Sequence, residues 1–359
     1  TIETLTCHFI YSCTGYYRYD KGYTPDFPGV QQFKGQFIHP QLWPEDLDYS
    51  DKRIVIIGSG ATAVTLVPAM AKTAKHVTML QRSPTYVVAR PAVDSLSQKF
   101  RRWFPEQFAY DLTRWKNVTM QAFIFQLSRR FPDKVRALLR KMTHQWMGDD
   151  YDIDTHFNPR YNPWDQRLCL VPDGDLFRAL RKGTASIVTD HIEHFTEQGI
   201  QLKSGAALDA DIVVSATGLE LLILGGIQLT VDSQPVKIAD SLVYKGMMFS
   251  GIPNLALAAG YTNASWTLKC DLTSQYVCRL LAYMDKHNYK YCMATNSDPS
   301  VQRTQFLDLA SGYIDRAVDQ FPKQGNKAPW RLYQNYLLDI ITLRVRSLRD
   351  RALTFYKTE

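Results

Sequence analysis

The 359 residues are 45% hydrophobic and 21% charged, and they carry a net charge of +7. A chain of this length and composition is long enough for two or three globular domains with a sizeable core. The six cysteines form no CxxC pair and no metal-ligand spacing, which argues against a disulfide framework or a zinc site and favours a reduced, cytoplasmic compartment. No run approaches the roughly 20 apolar residues of a membrane-spanning helix, and the N-terminus does not resemble a signal peptide.

The chain opens on a strand-like segment. Its first residue is Thr1 rather than Met, and the run "TLTCHFIYSCTGYY" places strand-forming residues at the start. Because natural proteins rarely start inside a strand, we expect this chain to be part of a longer protein. Residues 18–50 are rich in loop signals and contain four prolines.

A strand, a glycine turn, a helix and a second strand follow within thirty residues. "RIVIIG" (Arg53–Gly58) is a continuous apolar run, which is typical of a strand buried on both faces. "ATAVTLVPAMAKTA" has helical character, and "HVTMLQR" (His76–Arg82) is the second strand. This order predicts half of a doubly wound nucleotide-binding unit.

The turn in this unit reads GSGATA and has the form GxGxxA. Gly58 permits a tight turn, Gly60 lets the backbone approach a pyrophosphate, and Ala63 lets the helix pack closely on the strand. The phosphates would then lie at the positive N-terminus of the helix. A glycine turn with only a structural purpose is the alternative. The predicted cofactor-binding residues of the turn are Gly58, Ser59, Gly60, Ala61, Thr62, Ala63 and Val64.

The end of the second strand indicates which cofactor binds. An NAD-specific site usually places Asp or Glu here, but the strand ends in Gln81, Arg82 and Ser83. Arg82 can pair with a 2′-phosphate, so the sequence predicts NADPH, with Arg82 and Ser83 in the cofactor site. A surface arginine without a ligand is the alternative.

Residues 99–141, within a predicted insertion at residues 92–150, hold the whole excess of positive charge. Eleven basic residues between Lys99 and Lys141 face three acids, a local net charge of +8. A nucleic-acid-binding protein more often spreads its basic residues over a recognised fold, so we predict no nucleic-acid partner. The spacing predicts a helical insertion that forms a cap over the active site. Its apolar run, Met120–Leu127, is too short to span a bilayer, and contact with a membrane surface is a second interpretation.

The rest of the chain predicts a second nucleotide-binding domain. "DADIVVSATG" ends in an ATG turn at residues 216–218, and a near copy, CTG, occurs at residues 13–15. Two such strand ends predict two nucleotide domains between which the chain passes. The other predicted elements are a helix over 176–183, short strands up to 218 and on to about 262, helices over 268–286 and 299–320, and a basic helix after Trp330.

The stretch "FKGQFIHPQLWP" lies between the CTG turn and the glycine turn. It matches FxGxxxHxxxWP at Phe33, Gly35, His39, Trp43 and Pro44. This pattern resembles the fingerprint of Baeyer–Villiger monooxygenases, a branch of the flavin-containing monooxygenase superfamily, whose N-hydroxylating relatives tend to have Tyr or Phe at the position of Trp43. The resemblance implies a linker that orients two domains while NADPH is used, and it implies no proton-transfer role for His39.

The resemblance extends over nearly the whole chain. "VTMLQRSPTYV", "HFNPRYNPWDQRLCLVPDGDLFRA" and "KQGNKAPWRLYQNY" are similar to the subgroup of ethionamide-activating FAD-containing monooxygenases. This implies an α/β fold with two Rossmann-like domains, one for FAD and one for NADPH, and a helical insertion. The family's first segment, with the FAD fingerprint and an active-site aspartate, is not in this chain, so we expect an incomplete FAD domain. The predicted boundaries are 1–30 and 219–330 for the FAD domain, 31–50 for the linker, 51–91 with 151–218 for the NADPH domain, 92–150 for the insertion and 331–359 for a helical tail.

Arg167, in "NPWDQRLCL", matches the family's active-site arginine. The resemblance implies that it stabilises the negative charge that develops during oxygen transfer to a carbonyl. A structural arginine paired with Asp165 or Asp173 is the alternative. The stretch from Asn263 to Trp266 is expected to return toward the flavin, with Trp266 either lining the substrate pocket or buried after a strand.

The predicted reaction is NADPH- and FAD-dependent insertion of one oxygen atom from O2 into a ketone, giving an ester or a lactone, with oxygenation of sulfur as a side activity. The expected partners are O2 and a small-molecule ketone or sulfur-containing substrate, and no metal is expected. A flavin monooxygenase that oxidises sulfur or nitrogen is the first alternative. A truncated NADP-binding remnant without activity is the second.

Overall fold

The computed structural model describes residues 2–166, 168–307 and 312–357, without the side chain of Tyr313. The strands are β1 (Ile10–Ser12), β2 (Tyr17–Gly22), β3 (Gln36–Ile38), β4 (Arg53–Ile57), β5 (His76–Gln81), β6 (Val87–Arg90), β7 (Cys169–Pro172), β8 (Ala185–Thr189), β9 (Ile192–Phe195), β10 (Gly199–Leu202), β11 (Ala207–Asp209), β12 (Ile212–Ser215), β13 (Leu219–Leu221), β14 (Leu229–Val231), β15 (Gln234–Val236), β16 (Val243–Tyr244), β17 (Met248–Phe249), β18 (Leu255–Leu257), β19 (Tyr291–Ala294), β20 (Arg303–Gln305), β21 (Lys323–Gly325) and β22 (Leu353–Tyr356). The helices are α1 (Ala61–Met70), α2 (Ser95–Trp103), α3 (Glu106–Arg130), α4 (Pro132–Met147), α5 (Ile153–Phe157), α6 (Asp175–Arg181), α7 (Trp266–Lys286), α8 (Gly312–Asp315) and α9 (Tyr336–Asp339).

The chain divides into two compact units. The central unit is Tyr19–Leu219, and the split unit combines Thr1–Arg18 with Glu220–Glu359. Each unit contains a sheet with parallel strand pairing, described below.

The central unit is built on a five-stranded parallel sheet in the order β3-β12-β4-β5-β8. Successive residues of β4 point to opposite faces, so Ile54 and Ile56 join a core with α1 and α6, while Val55 and Ile57 join a second core with β9 and β10. Both faces are therefore covered, as the apolar run at Arg53–Gly58 predicts. The predicted order of strand, turn, helix and strand is confirmed.

The predicted helical segment between β6 and β7 contains α2, α3 and α4. Asp94 caps α2 by accepting a hydrogen bond from the backbone N–H of Ser97 (3.1 Å), and Pro132 begins α4. Trp146 of α4 stacks on Phe177 of α6 with ring centroids 5.9 Å apart, which fixes the insertion to the central unit. Within the described ranges, none of the helices has the length and apolarity that crossing a bilayer requires.

The split unit contains the sheet β1-β18-β17-β16. β1 pairs with β18 in parallel, and the other neighbours are antiparallel. The long helix α7 buries Leu272, Tyr276 and Leu280 against this sheet and the C-terminal segment. The helix predicted over 268–286 is present, and it begins two residues earlier, at Trp266.

Two predicted helices in this unit are wrong. Residues 299–320 contain β20 and the short helix α8, with residues 308–311 outside the described part. Phe306 and Leu307 are adjacent and both buried, which suits a segment crossing a core rather than an amphipathic helix. The tail after Trp330 forms the short helix α9 and one π-helical turn instead of a long basic helix. Its last residues form strand β22, which pairs with β19.

Candidate dinucleotide-binding site

The turn between β4 and α1 has two glycines with different roles. Gly58 has a φ of 138°, and a Cβ at this position would collide with the backbone carbonyl of Ala216, which follows β12. Glycine is therefore required where these two strands end side by side. Gly60 has a φ of −80°, which any residue can adopt, and a Cβ there would meet no described atom within 4 Å. The space in front of Gly60 is open.

Helix α1 points its N-terminus into this open space. Gly60 is the N-cap, no side chain caps the first turn, and that turn carries no acidic residue. Ala63 and Val64 are buried and hold the helix against the sheet, while Ala61 and Thr62 are exposed. The first backbone N–H groups and the positive end of the helix dipole are thus available to an anion.

The end of β5 lies beside this turn. The hydroxyl of Ser59 donates a hydrogen bond to the backbone carbonyl of Ser83 (3.0 Å), which joins the two loops. Arg82 is exposed and, within the described ranges, has no ion-pair or hydrogen-bond partner. A guanidinium that pairs with no described residue therefore directly precedes Ser83, the residue that is hydrogen-bonded to the glycine turn.

A buried polar network lies beneath the same edge of the sheet, and the sequence analysis missed it. Gln81 ends β5 and donates to the hydroxyl of Thr189, which ends β8, and to the carbonyl of His156 (2.8 Å each). His156 Nδ1 lies 2.8 Å from the Thr189 hydroxyl, and burial lowers the pKa of His156. The sequence signal for this network was a polar residue at the end of each of two strands, Gln81 in β5 and Thr189 in β8.

The turns that read CTG and ATG each contain a hydrogen bond of the same kind, between a serine and a threonine two residues later. In the central unit the hydroxyls of Ser215 and Thr217 are 2.8 Å apart, and Gly218 follows with a φ of 116°. In the split unit the hydroxyls of Ser12 and Thr14 are 3.0 Å apart, and the next residue is again a glycine with positive φ. Each turn follows a strand that has a parallel neighbour.

His39 of the linker motif is bound to the ATG turn. Its Nδ1 accepts the backbone N–H of Gln41 (3.2 Å), so Nε2 carries the proton and donates to the carbonyl of Gly218 (3.1 Å). The ring lies against Gly22, where a Cβ would overlap it. Both ring nitrogens of His39 are occupied by backbone groups, which suits a positioning role and leaves no nitrogen for proton transfer.

The other motif residues are also packed within the central unit. Phe33 joins an aromatic cluster around the buried Phe195, at a centroid distance of 6.0 Å. A Cβ at Gly35 would meet the carbonyl of Asp211, and Trp43 packs against the core of the parallel sheet. Phe33, Gly35, His39 and Trp43 thus hold the linker against the rest of the central unit.

Asp211, which begins the DADIVVSATG strand, has a structural role. Its carboxylate accepts the backbone N–H of Arg53 (2.7 Å) and the guanidinium of the same residue (3.0 Å). The hydrogen bond from the Arg53 guanidinium lowers the pKa of Asp211. This pair lies where β4 and β12 begin, at the opposite edge of the sheet from the glycine turn.

Arg167 lies outside the described residues. The loop that precedes it is held by the helical insertion: Arg129 of α3 pairs with Asp165 (2.9 Å), and Arg136 of α4 donates to the side chain of Asn162 (2.7 Å). The carboxylate of Asp165, one of the partners considered for Arg167, is therefore engaged by the insertion.

In the split unit, the stretch from Asn263 to Trp266 leads into α7. Asn263 donates to the carbonyl of Gln334 (2.9 Å), Ser265 precedes the helix, and Trp266 packs, partly buried, on Tyr16 (4.9 Å between centroids). This placement favours packing of Trp266 after a strand over a pocket-lining position.

A buried ion pair, which the sequence did not predict, lies one turn further along α7. Lys269 pairs with Asp339 (2.9 Å), and the hydroxyl of Tyr261 donates to the same carboxylate (2.6 Å). Burial lowers the pKa of Lys269 and raises that of Tyr261. In the described ranges there is no cluster of side chains suited to a metal ion.

Three features are typical of a protein of the two-dinucleotide class: a parallel sheet with an open glycine turn, an arginine at the next strand end that pairs with no described residue, and an ATG turn with a counterpart, CTG, in the other unit. A family model described as flavin-binding monooxygenase-like matches residues 7–223. The FAD-containing monooxygenase EthA of Mycobacterium tuberculosis is 52% identical over 358 residues, which cover 99% of this chain and 73% of that protein. EthA of Mycolicibacterium smegmatis is 48% identical over 356 residues, which cover 99% of this chain and 72% of that protein.

Solved structures show the same fold. An oxidized steroid monooxygenase bound to NADP has a TM-score of 0.71 at 19% identity and covers 98% of this chain and 75% of its own. The OTEMO complex with FAD and NADP has a TM-score of 0.63 at 21% identity, with 82% and 64% covered. The chain thus spans about three quarters of its curated relatives' length and less than two thirds of OTEMO.

The chain belongs to the flavin-binding monooxygenase-like family. It is therefore an oxidoreductase of the flavin monooxygenase class, whose cofactors are FAD and NADPH. The predicted family, the fold with two dinucleotide-binding domains and the two cofactors are confirmed.

Proposed function

We propose that this chain takes part in an NADPH- and FAD-dependent monooxygenase reaction that inserts one oxygen atom from O2 into a small-molecule ketone, giving an ester or a lactone. The proposal depends on three features that occur together in the central unit. These are the open turn at Gly60, Arg82, which pairs with no residue that the structure describes, and the Phe33–Pro44 motif bound to the neighbouring ATG turn.

The glycine turn fits the pyrophosphate of NADPH. The space at Gly60 is open, the N-terminus of α1 has no side-chain cap, and its backbone N–H groups would bind the phosphates. Ser59 and Ser83 fix the shape of the loops, and Arg82 would bind the 2′-phosphate that distinguishes NADPH from NADH. In this proposal these residues would hold the cofactor.

In this class NADPH supplies a hydride and FAD supplies the means to activate O2. Arg167 would stand where negative charge develops during oxygen transfer and stabilise it. Arg129 and Arg136 of the insertion hold the loop that precedes this residue, through Asp165 and Asn162. In the split unit, the turn at Thr14 and Gly15 is the counterpart of the ATG turn and would face FAD.

The cofactor assignment is tested by exchanging Arg82 in the full-length enzyme. We expect wild type to use NADPH much more efficiently than NADH, and Arg82→Ala to reduce kcat/KM for NADPH about tenfold or more while leaving NADH unchanged, because a charge-assisted hydrogen bond contributes about 1.5–3 kcal/mol. Arg90→Ala is the matched control, since Arg90 is also an exposed arginine at the end of a strand. Equal use of both cofactors by wild type would contradict the assignment.

The substrate class is tested by product analysis. The full-length enzyme, supplied with FAD and NADPH, is offered a ketone and a thioether, and ester and sulfoxide are quantified per NADPH consumed. Ester formation that falls roughly a hundredfold in Arg167→Ala, with unchanged melting temperature and flavin content, supports the proposal. Sulfoxide without ester supports a sulfur-oxidising monooxygenase instead.

A further inference from the structure

The helical insertion carries several large apolar side chains that are exposed. The exposed fractions are 68% for Trp103, 51% for Phe108, 45% for Trp115 and 66% for Phe123. Soluble proteins rarely expose such side chains in a contiguous patch without a partner.

These side chains form one strip along α2 and α3. Phe108, Trp115 and Phe123 are separated by seven and eight residues, about two turns each, so they project from one face of α3. Phe104 connects the two helices, with ring centroids 6.4 Å from Phe100 of α2 and 5.2 Å from Phe108 of α3. We call Trp103, Phe104, Phe108, Trp115 and Phe123 the aromatic strip.

The insertion that carries the aromatic strip also carries exposed positive charge. Several basic residues of the insertion are engaged in the protein, since Lys116 pairs with Asp94 and Arg140 pairs with Asp154. Others are exposed and, in the part of the chain that the structure describes, have no ion-pair partner. These are Lys99, Arg101, Arg102, Arg130 and Lys141.

We propose that the aromatic strip binds the surface of a membrane that contains anionic phospholipids. Helices that lie in a membrane interface place aromatic and aliphatic side chains at the boundary between headgroups and acyl chains and direct Lys and Arg toward lipid phosphates. Trp and Phe suit this boundary, because their large apolar rings leave water without being buried deeply. The helices lie on the membrane and do not cross it, in agreement with the absence of a spanning helix in the described ranges.

The charge argues against the other occupants of this face. Two copies of the chain would bring two segments of net charge +8 together, and the like charges would repel. Nucleic acid would use the positive charge, but proteins that bind single strands stack bases on aromatic side chains in a groove. Here the aromatic side chains are exposed along two helices that also carry the exposed aliphatic side chains Leu96 and Leu127.

The proposal is tested with the full-length protein and vesicles. Cosedimentation with phosphatidylcholine vesicles, with and without phosphatidylserine, measures binding at low and high salt. We expect binding only with phosphatidylserine and a decrease at high salt, because the lipid charge is screened. Arg101→Glu with Arg102→Glu should weaken binding at least tenfold, and Trp103→Ala with Phe108→Ala should weaken it similarly.

Matched controls separate the strip from general surface effects. Lys72→Glu with Lys75→Glu reverses two exposed charges of the central unit outside the insertion, and Ile227→Ala with Val345→Ala removes two exposed apolar side chains of the split unit. Both control pairs should bind vesicles as wild type does. All variants should keep the wild-type melting temperature and NADP+ affinity, because every exchanged side chain is exposed.

Three outcomes would overturn the proposal. The first is the absence of binding to phosphatidylserine vesicles, and the second is binding that the strip variants leave unchanged. The third is a concentration-dependent dimer, or binding to RNA, that the strip variants abolish without an effect on vesicles. None of these outcomes bears on the monooxygenase assignment, which depends on other residues.

Discussion

Two alanine substitutions in the glycine turn should have different effects. Gly60→Ala should weaken cofactor binding, and Gly58→Ala should destabilise the fold. Gly60 has a backbone conformation that alanine adopts freely, and its Cβ would meet no described atom within 4 Å. Gly60→Ala should therefore leave stability unchanged or raise it by about 0.4–1 kcal/mol, because alanine restricts the unfolded chain. The added methyl group would occupy the space that a pyrophosphate needs.

The expected loss of NADP+ affinity follows from overpacking. Forcing an extra methyl group into an occupied space costs about 1–3 kcal/mol, which corresponds to roughly a fivefold to hundredfold increase in the dissociation constant. Gly58→Ala should behave differently, since a positive φ disfavours alanine by about 1–2 kcal/mol and its Cβ would collide with the carbonyl of Ala216. That variant should melt several degrees lower than wild type.

The assay combines a thermal melt with calorimetric titration of NADP+. The argument depends on the contrast: Gly60→Ala keeps the melting temperature and loses affinity, whereas Gly58→Ala loses stability first. If Gly60→Ala bound NADP+ with wild-type affinity, the pyrophosphate would not lie at this turn, and the placement of the cofactor would be refuted.

Three further predictions concern the support of the site. Phe195→Ala should destabilise the central unit by about 3–5 kcal/mol, measured by denaturant titration, because it empties the centre of an aromatic cluster. Asp211→Asn should make the melting temperature depend less on pH in the acid range. The lowered pKa of Asp211 contributes stability that is present above about pH 4 and is lost as the pH falls. Thermal melts of wild type and variant should therefore converge in acid, with Asp209→Asn as the control. His39→Ala should lose two hydrogen bonds of about 1 kcal/mol each and increase proteolytic cleavage within residues 31–44, and cleavage at the wild-type rate would contradict the positioning role.

The sequence predicted the parts of the site that depend on local backbone constraints. The glycine turn, the strand before it and the arginine after β5 lie within thirty residues, and their order alone specifies a nucleotide-binding unit. The hydrogen bonds of His39 were not predictable, because Gly218 lies far along the chain and its carbonyl carries no sequence signal.

The contacts and elements that the sequence did not predict have a common physical cause, which is pairing between distant segments of the chain. Lys269 and Asp339 are buried as a pair, although each alone looks like an ordinary helix-surface residue. The tail after Trp330 has a helical pattern, but pairing of β22 with β19 satisfies more backbone groups there than a helix end would. Helix propensity is a weak preference that such tertiary contacts override.

The strands that flank the insertion, β6 and β7, are parallel neighbours, with Val87 opposite Cys169 and Arg90 opposite Pro172. Parallel neighbours need a crossover of about a dozen residues or more, so some connection must always remain between them. Helix α5 of this connection packs into the core of the sheet through Ile153 and Phe157 and must stay. Above the minimum length, α2, α3 and α4 form an exchangeable module, which protein engineers could replace with a shorter connection while the nucleotide-binding sheet stays intact.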